Sequence, residues 1–152
     1  MARMWSGAIK RALVVESPAA ELDELLRERG MEVTRLNEIP SEAGLIKAIQ
    51  EGEIQVVFKR SKVVISREVI EACPSLLVVQ LCCIGDDSVD KQACAEHGVF
   101  VFNDPVSNGR SVVELVIGNL IALARRLYET NPHCRAGGWD KSHRERYEIQ
   151  GK

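Results

Sequence analysis

Short apolar runs alternate with helical runs through the first hundred or so residues of this chain, and no other feature constrains its fold as tightly. Ala12 to Val15 reads as a strand. Ser17-Pro18 reads as a cap and first helical residue, with Leu22, Leu25 and Leu26 as the buried face, until Gly30 closes the helix. Glu32 to Leu36 alternates as a second strand. Ser41 opens a second helix through Leu45, Ile46 and Ile49, which Gly52 ends. Ile54 to Phe58 is a third strand, and Ser66 caps a short helix around Val69-Ile70. Leu76 to Leu81 is a fourth strand, apolar on both faces as a central parallel strand must be. Asp87 or Ser88 starts the next helix, Gly98 stops it, and Val99 to Phe102 is a fifth strand. This pattern predicts an α/β, flavodoxin-like fold: a five-stranded parallel sheet in the order 2-1-3-4-5 with helices on both faces.

Composition excludes several classes of partner. The 152 residues are 45% hydrophobic and 28% charged, with a net charge of −2. No basic face or Lys/Arg run is present, which argues against nucleic acid. The apolar stretch 112–124 is interrupted by Glu114 and Asn119 and is too short to span a bilayer. The N-terminus lacks a core of secretory length, so a cytoplasmic protein is expected, with residues 1–8 disordered. The five cysteines (Cys73, Cys82, Cys83, Cys94 and Cys134) show no framework or metal-ligand spacing and read as reduced thiols. Vicinal Cys82-Cys83 fits small buried residues beside a tight turn better than redox or metal chemistry.

The last predicted helix, 111–127, is unlike the others. Arg110, Glu114, Gly118, Arg125 and Glu129 form one narrow polar stripe, and apolar residues cover almost everything else. A helix apolar around most of its girth needs burial on more than one side. A second domain or a second chain, joined as a homo-oligomer through 111–127, is therefore expected. Residues 131–152 read as a polar crossing segment.

Ligands of open parallel sheets bind beyond the carboxyl ends of the strands. That singles out Glu16-Ser17, residues 59–62, residues 82–87 and residues 103–110. Lys59-Arg60-Ser61-Lys62 brings three cations and a hydroxyl to one strand end, which suits a small anion; a solvated basic turn is the alternative. Ile84-Gly85 can present backbone N–H groups to a ligand, or form an ordinary strand-to-helix turn with Asp86 or Asp87 as cap. Ser111 and Glu114 have capping-box spacing. Asn108-Gly109 precedes them, where a helix N-terminus favours an anion and Asn108 could donate to a substrate oxygen; a capped helix with a flexible entry loop is the alternative. His97, His133 and His143 read as solvated. No catalytic constellation, P-loop, metal motif or nucleophile elbow is present.

The stretches Cys83-Ile84-Gly85, Val89-Asp90, Gly98-Val99, Phe102-Asn103, Pro105, Ser107-Asn108, Arg110-Ser111-Val112 and Glu114-Leu115 resemble the D-2-hydroxyacid dehydrogenases, most closely the branch that oxidises 3-phosphoglycerate at the start of serine synthesis. Gly138-Trp139 and Gly151-Lys152 resemble the stretch just before that family's cofactor strand. The resemblance implies an NAD-dependent parent enzyme that turns 3-phosphoglycerate into 3-phosphohydroxypyruvate. It implies that Arg60 and Ser61 bind the anionic end of the substrate. It further implies that the backbone at Cys83, Ile84 and Gly85 meets the carboxylate, and that Asn108 touches substrate at a hinge. On this reading residues 9–108 are the substrate-binding domain, and 109–152 lead toward an NAD-binding domain that the sequence does not contain. The family's catalytic residues have no counterpart here, so the chain alone is expected to be inactive. A part of a glyoxylate or hydroxypyruvate reductase, or a non-enzymatic dimerisation or ligand-binding module, are the alternatives. The sequence departs from the family pattern at Asp86, where a carboxylate would repel an anion unless it points away. It departs also at Gly109, which should loosen the hinge, and at Lys62, an added cation that could offset Asp86.

Overall fold

The computed structural model describes residues 7–142 and 144–151. Residues 1–6 of the expected disordered segment, His143 and Lys152 lie outside the described residues. The elements run β1 (Arg11–Val14), α1 (Glu21–Glu28), β2 (Glu32–Arg35), α2 (Glu42–Glu51), β3 (Val56–Lys59), α3 (Arg67–Ala72), β4 (Val78–Leu81), α4 (Lys91–His97), β5 (Phe100–Phe102), α5 (Gly109–Ala124) and α6 (Leu127–Arg135). All strands are parallel and ordered β2-β1-β3-β4-β5, as the alternation predicts. The chain divides into two compact units, the first ending at Val106 and the second beginning at Ser107.

In the first unit, strand alternation sorts side chains onto two faces. Leu13, Val57, Val79 and Leu81 pack with Leu45 and Ile49 of α2, Val69 and Ile70 of α3, and Ala93 and Cys94 of α4. On the other face Ala12, Val14 and Val56 pack against Leu26 of α1. Phe100 and Phe102 stay exposed on the edge strand, their rings stacked with centroids 6.4 Å apart. Ser41 and Ser66 cap α2 and α3, their hydroxyls accepting from the Gly44 and Val69 amides. Arg35 of β2 grips Asp23 of α1 with two bonds, 2.8 and 2.6 Å.

Four local expectations are corrected. Ser17-Pro18 does not start α1; its N-cap is Ala20, because Glu16 and Ser17 take left-handed backbone (φ 63° and 48°) and carry the chain through an extra turn. Neither Asp87 nor Ser88 starts α4. The chain first forms a parallel bridge, Ile65 to Val89, and then Asp90 caps the helix through the Ala93 amide at 2.8 Å. The Ser111/Glu114 capping box does not form. The helix begins two residues earlier, with Asn108 as N-cap and no side-chain cap bond, and Glu114 pairs with Arg110 at 2.8 Å. A single helix over 111–127 is not observed either: α5 ends at Ala124, Arg126 turns left-handed (φ 56°), and α6 follows through residues expected in the crossing segment.

In the second unit the Tyr147 amide donates to the Ala124 carbonyl at 2.8 Å, and Arg126 pairs with Glu145 and Glu129. Val113, Leu115, Val116, Leu120 and Leu123 of α5 are exposed. No helix among the described residues is long and apolar enough to cross a membrane.

Candidate functional site

The three residues after β3 are held at both ends. Lys59, the last strand residue, shares the face of Val57 and points into the larger core rather than outward. It is 0% exposed, the one buried charged side chain among the described residues, and its ammonium donates to Ser88 Oγ at 2.6 Å. Burial pushes its pKa down, against the opposing pull of Glu16, Cys83 and Asp87. The basic cluster expected from Lys59-Arg60-Ser61-Lys62 therefore loses Lys59 as a ligand: strand parity turns that cation inward. At the other end, the Glu16 carboxylate accepts the Lys62 and Val63 amides at 2.8 and 2.6 Å.

Between these anchors Arg60, Ser61 and Lys62 are exposed. They line a cleft of about 410 Å³ with Glu16, Ser17, Asn37 and Ile39. The Arg60 guanidinium has no ion pair or hydrogen bond among the described residues. Asn37 and Ile39, from the loop after β2, carry no sequence signal that separates them from other loop residues.

The turn after β4 lies next in the sheet. The Cys82 amide donates to the Lys59 carbonyl at 2.7 Å. Burial raises the Cys82 thiol's pKa, and nearby Arg60 partly opposes this. Two residues from the end of β5 fasten the turn. The Asp104 amide donates to the Cys83 carbonyl at 3.1 Å, and Asn103 Nδ2 to the Ile84 carbonyl at 2.8 Å. The Cys83 thiol donates to the Gly85 carbonyl at 3.3 Å. With the carbonyls occupied, the amides of Ile84 and Gly85 find no acceptor among the described residues. A Cβ on Gly85 would lie 3.1 Å from Asp87 Oδ1, so the Asp87 side chain would have to give slightly to admit one.

Asp86 is not left facing the strand ends unpaired. Lys91, the first residue of α4, holds it at 2.8 Å and lowers its pKa. The offset expected from Lys62 comes from Lys91 instead.

The structure thus brings Arg60, Ser61, Cys83, Ile84 and Gly85 to neighbouring strand ends of one unit. Asn108 belongs to the other unit, as the N-cap residue of α5. His97 Nδ1 lies 2.9 Å from the Ala93 carbonyl at the end of α4. His133 is exposed and lines a cleft of about 430 Å³ within the second unit, with its ring against Gly138. No disulfide joins the five cysteines, and no group of His, Cys, Asp or Glu among the described residues could hold a metal ion.

A nicotinamide dinucleotide needs a glycine-rich turn after a strand, whose amides face the pyrophosphate. The glycines here are isolated apart from Gly137-Gly138, and that pair follows helix α6. These residues do not fit the group.

Residues 12–147 match the profile of the D-isomer specific 2-hydroxyacid dehydrogenase catalytic domain. The chain is 32% identical to D-3-phosphoglycerate dehydrogenase 2 of Saccharomyces cerevisiae over 140 residues, covering 92% of this chain and 29% of that protein. It is 39% identical to D-3-phosphoglycerate dehydrogenase of Haemophilus influenzae over 100 residues, covering 66% of this chain and 24% of that protein. The NAD+-bound 3-phosphoglycerate dehydrogenase of Entamoeba histolytica superposes with a TM-score of 0.65 at 28% identity, over 76% of this chain and 40% of that one. The chain spans less than a third of the length of these curated relatives.

Proposed function

Because this chain belongs to the D-isomer specific 2-hydroxyacid dehydrogenases, we propose that it is the substrate-gripping portion of an NAD-dependent D-3-phosphoglycerate dehydrogenase. The observation that carries this reading is the exposed, unpaired Arg60 guanidinium (unpaired among the described residues), one strand away from the free amides of Ile84 and Gly85. Arg60 can hold a carboxylate or phosphate through two parallel charge-assisted bonds, and Ser61 adds a hydroxyl. The Ile84 and Gly85 N–H groups donate to the other anionic end. A three-carbon acid with an anion at each end can be gripped twice, which fixes the orientation of its central carbinol. On this proposal the chain's own residues bind and orient the acid, and the redox chemistry is not theirs. The phosphoglycerate reading over a simpler 2-hydroxy acid rests on the names of the relatives and on two exposed cations, Arg60 and Lys62, at one strand end.

Domain roles follow as part of the same proposal: residues 9–108 bind the acid in the cytoplasm, 109–152 lead toward the cofactor domain, and α5 is where copies associate. The test is titration of 3-phosphoglycerate, glycerate and glyoxylate into the wild-type chain and Arg60→Ala by NMR. The phosphorylated acid should bind most tightly to wild type, and Arg60→Ala should lose at least about tenfold. Equal binding by both proteins removes Arg60 from the site. NADH formation by this chain alone would contradict the division of labour.

A further inference from the structure

We infer that Glu16 is the positioning residue of this anion site: its carboxylate fixes the loop that presents Arg60 and Ser61. The inference rests on the function proposed above and adds to it a residue that does not itself touch the ligand. Both Glu16 oxygens are engaged, one by the Lys62 amide at 2.8 Å and the other by the Val63 amide at 2.6 Å, across 46 and 47 residues of sequence. Only Arg60 and Ser61 separate the Lys62 amide from Lys59, which is buried and tied to Ser88. Two fixed ends three residues apart leave the Arg60 backbone little freedom, so the guanidinium is presented without a large ordering cost on binding.

The chain bears a backbone cost for this contact. Glu16 and Ser17 both take left-handed conformations, which are unfavourable for residues with a Cβ. The carboxylate meets the loop from that turn. A negative charge lining an anion cleft would ordinarily weaken binding. Here two N–H donors and the nearby Lys59 ammonium offset it, and the Arg60 and Lys62 side chains remain unpaired among the described residues.

The experiment titrates 3-phosphoglycerate into the wild-type chain, Glu16→Gln and Glu16→Ala by NMR, and follows the Lys62 and Val63 amide proton shifts and their hydrogen exchange. A Gln side chain keeps one carbonyl oxygen able to accept one of the two amides. The expected order of affinity is wild type, Glu16→Gln, Glu16→Ala, with the last at least about tenfold weaker than wild type. Both amides should move upfield and lose protection in the same order. A merely structural Glu16 would lower the thermal midpoint and leave the affinity of the folded protein unchanged. Wild-type affinity in folded Glu16→Gln overturns the inference while leaving the anion site standing, and tighter binding shows the carboxylate to be only repulsive. Failure of wild type itself to bind removes the site, and this role with it. Should Glu16→Ala not fold, the Gln variant decides alone.

Discussion

The Lys59–Ser88 contact predicts an inverted pair of mutational costs. Lys59 is fully buried, and its ammonium has one neutral hydroxyl partner at 2.6 Å. Replacing Ser88 with Ala removes that partner and leaves a buried cation unsatisfied, which costs about 1–3 kcal/mol, more for charged groups. Ser88 is only half-buried, so water can partly replace the hydroxyl and the expected loss is about 1–2 kcal/mol. For a unit of this size about 1 kcal/mol lowers Tm by roughly 4–8 °C, which puts Ser88→Ala about 5–15 °C below wild type. Lys59→Met removes the charge, keeps most of the stem volume and leaves Ser88 free to bind water. It should lie within about 1 kcal/mol of wild type, since exchanging a buried charge for an apolar side chain of similar volume is often neutral. Burial holds the Lys59 pKa below its ordinary value of 10.5. Between that lowered value and 10.5 the unfolded chain binds more protons than the folded one, so wild-type stability rises with pH across this window. Relative to Lys59→Met, wild type therefore gains as alkalinity increases toward pH 10.5. Thermal melts of the three proteins from about pH 7 to the ordinary lysine pKa read both effects. The reasoning is wrong if Lys59→Met melts below Ser88→Ala at neutral pH, or if the wild-type gain with pH is absent.

Three further outcomes are expected. Lys91→Met unpairs Asp86 and should weaken 3-phosphoglycerate binding several-fold at low salt, the difference shrinking at high salt; an Asp86→Asn substitution in the same protein should restore the affinity, and no recovery would place Asp86 outside the field of the site. Arg35 holds the Asp23 carboxyl below its ordinary 3.8, so its stabilising contribution is present above that pH and lost as pH falls through the lowered value. Melts of wild type and Asp23→Asn should converge on acidification below about pH 4, and parallel curves would assign the pair no role. The exposed apolar residues of α5 predict self-association, which light scattering checks. Leu120→Glu should shift the chain toward monomer, and a wild-type monomer with α5 helical by NMR counts against the proposed interface.

The places where sequence and structure part company share one cause. The sheet is legible because apolar alternation with Gly and Ser punctuation is local, and Ser41 and Ser66 announce their helices within four residues. Asp87 and Ser88 both read as starts for α4, and the observed cap, Asp90, is neither of them. The choice is made at a distance: Ser88 takes the Lys59 ammonium, Val89 pairs with Ile65, and the helix can begin only at Asp90. The same long-range contact decides the chemistry of the basic run. Read as a loop, Lys59-Arg60-Ser61-Lys62 offers three equivalent cations. Read as the end of a strand that extends one residue further, alternation sends Lys59 inward beside Val57 and leaves Arg60 and Lys62 outside. A single-residue shift in a strand boundary exchanges ligand for anchor, because side-chain direction in a strand reverses at every step. Glu16 is harder still to find, since its partners are backbone amides 46 and 47 residues away and amides leave no trace in a sequence. Strand-end position therefore suffices to nominate the residues that meet a ligand, but the residues that hold them in place emerge only once the neighbouring strand ends are set side by side.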